Sequence, residues 1–184
     1  MRLTLSRCIV RSWDPRDAPS IARHANNRQV WLNLRDRFPH PYSERDAAQF
    51  IARARTAQAE TNFAIEVDGE AAGGIGFLPG TDIERVSAEI GYWLGEACWG
   101  RGVCTEALAA VTAYALDTYG LTRVFAVPFA HNAASCRVLE KAGYTMEGRL
   151  RRSAIKDGRI CDQLLYAFVP QAATAPATST AIGG

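Results

Sequence analysis

The stretch AEIGYWLGEACWGRGVCTEAL, residues 88–108, decides the fold. It begins as a β-strand, passes through a glycine-rich turn, and continues as a helix that the residue pattern predicts from about residue 103 to residue 119. Gly91 interrupts the strand, which indicates a β-bulge or a place where another extended backbone approaches. Relief of crowding near Tyr92 and Trp93 explains the same glycine equally well.

The turn before this helix is a candidate anion site. The first N–H groups of a helix have no partner within it and the helix dipole is positive there, so a phosphate is stabilised at this end. Gly100 and Gly102 allow an anion to approach the backbone closely, and Arg101 can add a charged contact. The glycine spacing matches neither the phosphate loop of nucleotide hydrolases nor the dinucleotide-binding motif. The alternative is an ordinary packing turn.

The rest of the chain predicts a single α/β (α+β) domain over residues 1–169, with a mixed, mostly antiparallel seven-stranded sheet and helices on both faces. Ser43 and Asp46 have the spacing of a capping box, Asp68-Gly69 is a hairpin turn, and Gly120 follows the long helix as its terminator. We predict helices at residues 14–27, 43–60, 103–119 and 132–143, and strands at residues 3–13, 61–67, 71–80, 87–95, 123–129, 144–152 and 161–169. Residues 170–184 have low complexity, and we expect them to form a disordered tail.

The composition argues against several classes of function. The net charge is +2 over 184 residues with no run of basic residues, so we expect no nucleic-acid partner. The five cysteines lack a C-x-x-C pair and the three histidines are far apart, which argues against a disulfide framework and a metal site. Because there is no signal-peptide pattern and no apolar stretch of about 20 residues, we expect no membrane partner and a cytoplasmic location.

A second candidate site lies in AHNAASCRVLEKAGY, residues 130–144. Asn132 is placed to cap the helix that begins there. Ser135 falls on the same face as the apolar residues Val138 and Leu139, where an alanine would be less surprising. Its hydroxyl either bonds back to the helix start or faces a reacting group.

Together, residues 88–108 and the stretch HNAASCRVLEKAGYTMEGRLR, residues 131–151, resemble the GNAT acetyltransferase superfamily, and most closely its RimJ/RimL-type branch. The likeness continues through FPHPYSERDAAQFI and KDGRICDQLLYAF, so it covers nearly all of the chain except the tail. The resemblance implies acetyl-CoA as the donor and a primary amine as the acceptor, either a protein N-terminus or a small molecule. It implies direct attack in a ternary complex, and a homodimer is common among such proteins.

The superfamily motif Q/R-x-x-G-x-G/A falls on residues 99–104. Gly102 is retained, whereas Trp99 and Cys104 depart from the pattern. Tryptophan is common at the first position in this branch, and cysteine is small enough to leave its N–H group usable. The resemblance implies that the donor is bound by backbone amides at Arg101, Gly102, Val103, Cys104 and Thr105, by Tyr92, Trp93 and Leu94 along the pantetheine arm, by Asn132, and by Arg137 or Lys141 at the adenosine phosphates.

Catalytic roles follow less directly. Many superfamily members protonate the leaving thiolate with a tyrosine at the position that is Leu139 here, so Ser135 becomes the candidate acid, with Asn132 beside it. Glu89 is the first candidate base and His131 the second, although Glu89 could equally be a solvent-facing strand carboxylate. A backbone N–H of the fourth strand would stabilise the oxyanion. No histidine lies at a spacing that would activate a cysteine nucleophile.

The acceptor is expected against VWLNLRDRFPHPY, residues 30–42, which is unusually aromatic for a connection between helices. The alternative is a hydrophobic clasp between the helices. A non-catalytic acetyl-CoA sensor acting through a partner is the other class of function that the sequence allows. The candidate acceptor residues are Trp31, Phe38 and Tyr42 as walls, with Asn33, Arg35 or Arg37 orienting the substrate.

Overall fold

Eight strands form one mixed sheet in the computed structural model, which describes residues 1–171. The sheet order is β1-β2-β3-β4-β5-β6-β8-β7, and every neighbouring pair is antiparallel except β5 and β6. The strands are β1 (Arg2–Thr4), β2 (Ile9–Arg11), β3 (Asn62–Val67), β4 (Glu70–Pro79), β5 (Ser87–Leu94), β6 (Arg123–Ala126), β7 (Thr145–Lys156) and β8 (Arg159–Phe168). The mixed, mostly antiparallel sheet is confirmed.

The prediction of seven strands is wrong by one. The first predicted strand is two strands, because the chain reverses at residues 5–8 and β1 pairs back onto β2. The backbone N–H groups of Ser6 and Arg7 in this turn donate to the carboxylate of Glu106, at 3.0 and 2.8 Å. A partner about one hundred positions away in the chain therefore stabilises the turn, and no local signal announces it.

Helices cover both faces of the sheet, as predicted. They are α1 (Ala18–Ala25), α2 (Arg28–Trp31), α3 (Glu44–Thr56), α4 (Val103–Tyr119) and α5 (Ala133–Lys141). The capping box of Ser43 and Asp46 is present, and α4 ends at Gly120 in the left-handed conformation. The predicted helix at residues 14–27 is instead a short 3₁₀ turn followed by α1, and α2 was not predicted. Within residues 1–171, no helix has the length and apolar character needed to cross a membrane.

The two faces of β5 meet different layers. Ile90 and Leu94 are buried in the core with α4, and Tyr92 packs against the same core. Trp93 packs against the second core, which α1 and α3 form on the opposite face. Since side chains alternate along a strand, Glu89 and Gly91 share the face of Trp93.

The sheet opens between β5 and β6. The parallel pairing joins Ser87–Glu89 only to residues 123–125, whereas β5 continues to Leu94 paired with β4 alone. Beyond Ala126 the chain turns towards β8, where Phe129 bridges to Gln163. One edge of β5 therefore lies without a strand beside it, immediately before the turn that leads into α4. The predicted disordered tail falls mostly on residues 172–184, which lie outside the described residues.

Candidate active site

The N-terminus of α4 presents unpaired backbone donors. Gly102 is the N-cap residue and supplies no side-chain bond, and the first intrahelical bond runs from the Glu106 N–H to the Gly102 carbonyl at 3.2 Å. Within the described chain, the consecutive N–H groups of residues 100–105 have no protein acceptor. Gly100 and Gly102 have φ values of +74° and +78°, which favour glycine. The turn is thus shaped to present its amides to an anion.

A groove of about 490 Å³ lies over these amides. Arg7, Arg101 and Lys141 contribute positive charge to it, and the Glu106 carboxylate is engaged by the β1–β2 turn. The Arg101 guanidinium also pairs with Asp68 of the β3–β4 hairpin at 2.9 Å. The residues lining the groove are Arg7, Gly100, Arg101, Gly102, Thr105, Glu106, Ala109 and Lys141.

Of the two basic residues expected at the adenosine phosphates, Lys141 lines this groove. Arg137 is exposed on α5 and is not part of the lining. The expectation that either residue contacts the donor stays a prediction, and the groove favours Lys141.

Arg7 is a groove residue that the sequence reasoning missed. Its Nη1 donates to the Arg101 carbonyl at 3.1 Å, and its side chain lies over Gly102, where an added Cβ would meet the Arg7 Cδ at 3.3 Å. The residue reaches the site only because β1 and β2 form a hairpin. No motif near Arg7 in the sequence signals this contact.

Trp99 closes the turn from β5 to α4. Its indole Nε1 donates to the carbonyl of Leu94, the last residue of β5, at 2.8 Å, while the side chain stays 45% exposed. The departure from the superfamily motif at this position therefore has a structural role, because it fixes the end of β5 against the glycine-rich turn.

Gly91 lies in open space on β5, and its backbone is not in the left-handed region that favours glycine. The β4–β5 register runs without a bulge, with Gly91 opposite Gly76, so the bulge interpretation is wrong. A Cβ built on Gly91 would meet no atom beyond its chain neighbours within 4 Å, which argues against crowding by Trp93. The open space favours the interpretation that another extended group approaches this stretch of β5.

A pair of hydroxyls connects β5 to α5. The phenol oxygen of Tyr92 lies 2.9 Å from Ser135 Oγ, and either atom can donate. The Ser135 N–H donates to Asn132 Oδ1 at 3.1 Å, which confirms the predicted helix cap. Burial raises the pKa of Tyr92 above its ordinary value, so both groups are neutral hydroxyls at neutral pH. This places Ser135 next to the stretch of β5 that lacks a β6 partner.

Cys104 is a thiol rather than a thiolate. Burial raises its pKa to about 12, and the thiolate is the nucleophilic form. This agrees with rejecting a covalent cysteine mechanism. Among residues 1–171, no three His, Cys, Asp or Glu side chains gather as metal ligands would.

Glu89 lies where the sheet opens. It is the last β5 residue paired with β6, opposite Phe125, and its side chain is 27% exposed. The Arg35 Nη2 donates to Glu89 Oε1, so this carboxylate is paired with a cation as well as partly exposed to solvent. The second candidate base, His131, is exposed and stacks on Phe129 with ring centroids 5.3 Å apart.

Comparison with known proteins identifies the family. A family model described as an acetyltransferase (GNAT) domain matches residues 7–145. The chain belongs to the GNAT acetyltransferase family. It is 29% identical over 176 residues to the ribosomal protein uS5 alanine N-acetyltransferase of Escherichia coli (strain K12), a match covering 91% of this chain and 90% of that protein.

Two further relatives of this GNAT domain are also named as N-acetyltransferases or RimJ. The chain is 38% identical over 82 residues to YoaA, an uncharacterized N-acetyltransferase of Bacillus subtilis (strain 168), and spans about half of its length, 46%. The chain is 27% identical in sequence to Mycobacterium smegmatis RimJ, whose structure in complex with CoA-disulfide matches this one with a TM-score of 0.79. The match covers 88% of this chain and 81% of that one. The predicted resemblance to the RimJ/RimL-type branch is confirmed.

The expected acceptor residues of the GNAT domain are mostly engaged in packing. Tyr42 is buried and stacks on Phe38, with centroids 4.7 Å apart, and Phe38 meets the Trp93 ring edge-on at 5.4 Å. The Asn33 side chain donates to the Gln29 carbonyl at 2.9 Å. These contacts favour the clasp interpretation for Tyr42 and Asn33, whereas Arg37 is exposed.

The β7–β8 hairpin also contacts this segment. The buried Lys156, at the end of β7, donates to Asp36 Oδ1 at 2.8 Å, and its Nζ lies 3.7 Å from the centroid of the Trp31 ring. Arg28 pairs with Asp157 at 2.6 Å. The tip of the β7–β8 hairpin thus braces α2 and the residues that follow it, and no pattern in the sequence predicts this contact.

Proposed function

We propose that this chain is an acetyl-CoA-dependent N-acetyltransferase that passes an acetyl group to a primary amine by direct attack in a ternary complex. The observation that carries the proposal is that two features follow each other directly along the chain. The edge of β5 that lacks a strand partner is followed directly by the unpaired N–H groups of residues 100–105.

The residues present suit coenzyme A. A pyrophosphate needs several donors and positive charge, which residues 100–105 and the Arg7 and Lys141 side chains supply. The amides of a pantetheine arm can pair with the free edge of β5, and the open space at Gly91 admits such an arm. Bound acetyl-CoA supplies an activated thioester. The CoA-disulfide complex of the Mycobacterium smegmatis relative supports this assignment.

The proton transfers are assigned to two side chains on opposite faces of β5. Glu89 is the proton acceptor for the attacking amine, directly or through a water, because it lies where β5 and β6 part. Ser135 Oγ is the proton donor on the other face, and its hydrogen bond with Tyr92 fixes its position. A backbone N–H of β5 beside Gly91 is the donor for the developing oxyanion.

Of the two proposed acceptors, the relatives favour a protein N-terminal amine. The Escherichia coli relative is named as an alanine N-acetyltransferase of ribosomal protein uS5. A small-molecule amine is the alternative acceptor, and the site chemistry described above serves both.

Turnover against a panel of amines and peptides tests the proposal. The purified protein is incubated with acetyl-CoA and each acceptor, and products are measured by mass, since five protein thiols would react with a thiol dye. We expect an acetylated amine and free CoA in equal amounts. A protein that binds acetyl-CoA yet acetylates no member of a broad panel would instead be a sensor.

A further inference from the structure

The proposed proton acceptor is not free in the isolated chain. Arg35 Nη2 donates to Glu89 Oε1, across 54 positions of sequence. A guanidinium keeps its charge at every physiological pH, so an incoming ammonium meets a carboxylate that a cation already occupies. A simple cationic amine would have to displace Arg35 and leave its charge without a partner.

Arg35 is held in place by its neighbours. The Arg35 carbonyl accepts from the Phe38 N–H at 2.9 Å, which closes a turn, and the adjacent Asp36 is bonded to the buried Lys156. The guanidinium is therefore presented to Glu89 by a segment braced at both sides. Its side chain is 54% exposed, so it remains accessible to a ligand.

The charges around this pair favour an anion. Asp36 is the one carboxylate among residues 30–42, and Lys156 engages it. Arg123, whose guanidinium lies 5.7 Å from the Phe125 ring centroid, is paired with Glu147. Asp36 and Glu147 are thus each paired with a cation, and Arg37 in the segment of Arg35 is exposed.

We infer that the acceptor carries a carboxylate close to its amine, so that its ammonium contacts Glu89 while its carboxylate contacts Arg35. Binding then exchanges one ion pair for two and leaves no charge unpaired. The inference rests on the proposed function and narrows its acceptor. The same chemistry has two sources, namely a free amino acid or a chain N-terminus followed by an acidic side chain.

Two matched acceptor pairs test the inference. One pair is alanine and alaninamide, and the other is a short peptide beginning Ala-Glu and its counterpart beginning Ala-Gln. Within each pair only a carboxylate is replaced by a carboxamide. The full chain is assayed with acetyl-CoA, and the ratio of kcat/KM within each pair is measured for the wild type and for Arg35→Met, Arg35→Lys and the control Arg45→Met, which removes an exposed arginine on α3.

We expect the carboxylate member of one pair to be preferred by at least about tenfold, because a charge-assisted hydrogen bond contributes more than one tenfold step in an equilibrium constant. The pair that shows the preference identifies the source. Arg35→Met should lower the ratio at least about tenfold, Arg35→Lys should keep part of it, and Arg45→Met should leave it in place.

Two results would overturn the inference while leaving the acetyltransferase activity intact. One is equal turnover of both members in both pairs, and the other is an undiminished preference in folded Arg35→Met. If acetyl-CoA binds and no acceptor in a broad panel is acetylated, the proposed function fails and the inference fails with it.

Discussion

Replacing Gly102 by valine should separate donor binding from folding. Gly102 has a φ of +78°, and an L-residue in the left-handed region costs about 1–2 kcal/mol, with a β-branched residue at the upper end. An added Cβ meets only the flexible Arg7 side chain, at 3.3 Å, so steric overlap adds little. For a domain of this size, that strain lowers the melting temperature by about 2–8 °C.

The effect on the donor should be larger than the effect on stability. The valine side chain stands beside the N–H groups of residues 100–105 and turns them away from an anion. Each charge-assisted hydrogen bond contributes about 1.5–3 kcal/mol, so loss of one such bond weakens binding at least about tenfold. Calorimetric titration with acetyl-CoA measures the dissociation constant, and a melting curve with and without acetyl-CoA confirms it.

Gly120→Val is the matched control, because Gly120 caps the other end of α4 with a φ of +61° and open space around it. It carries the same kind of strain, and it should bind acetyl-CoA like the wild type. The anion site would be refuted by a folded Gly102→Val protein whose acetyl-CoA affinity stays within about twofold of the wild type. Equal loss of affinity in both variants would also refute it, since strain in α4 would then be the cause.

Three further predictions concern the chemistry and the acceptor side. Ser135→Ala should lower turnover by about a hundredfold with the acetyl-CoA affinity nearly unchanged, and steady-state rates that match the wild type would remove Ser135 from its assigned role. Lys156→Met keeps the packing but loses the contact with the Trp31 ring and with the exposed Asp36, so it should cost about 1 kcal/mol of stability and raise the acceptor KM. Denaturant unfolding and initial rates measure these two changes, and an altered acetyl-CoA affinity would argue against a role confined to the acceptor segment. Intact-mass measurement after mixing with acetyl-CoA should find no acetylated protein, because the Cys104 thiol is protonated, and an adduct on Cys104 would contradict direct attack.

The elements that carry strong local signals could be predicted from the sequence. Helix α4 has the predicted bounds Val103–Tyr119, because glycines flank an uninterrupted run of helix formers. The capping box at Ser43 and the hairpin turn at Asp68 are equally local. The break at Ser6 could not be predicted, since that turn contains neither glycine nor proline and depends on Glu106.

The candidate site also has a part with local sequence signals and a part that depends on distant contacts. Most of its donor half, from Gly91 to Thr105, lies in one stretch of sequence that predicts a single site, whereas Arg7 joins it only through the β1–β2 hairpin. Its acceptor half is assembled from distant parts, with Arg35 reaching Glu89 and Lys156 reaching Asp36 over 120 positions. Such contacts are set by the packing of the β7–β8 hairpin on the segment after α2, which periodicity and capping do not encode.

Hydrogen exchange read by mass spectrometry tests the location of the donor most directly. With acetyl-CoA added, the amides of residues 100–105 and residues 90–94 should exchange more slowly, because both gain acceptors from the bound molecule. The hairpin turn at Asp157-Gly158 should exchange as before. Unchanged exchange in both segments under conditions where acetyl-CoA binds, or protection confined to other parts of the chain, would contradict the donor site described for β5 and α4.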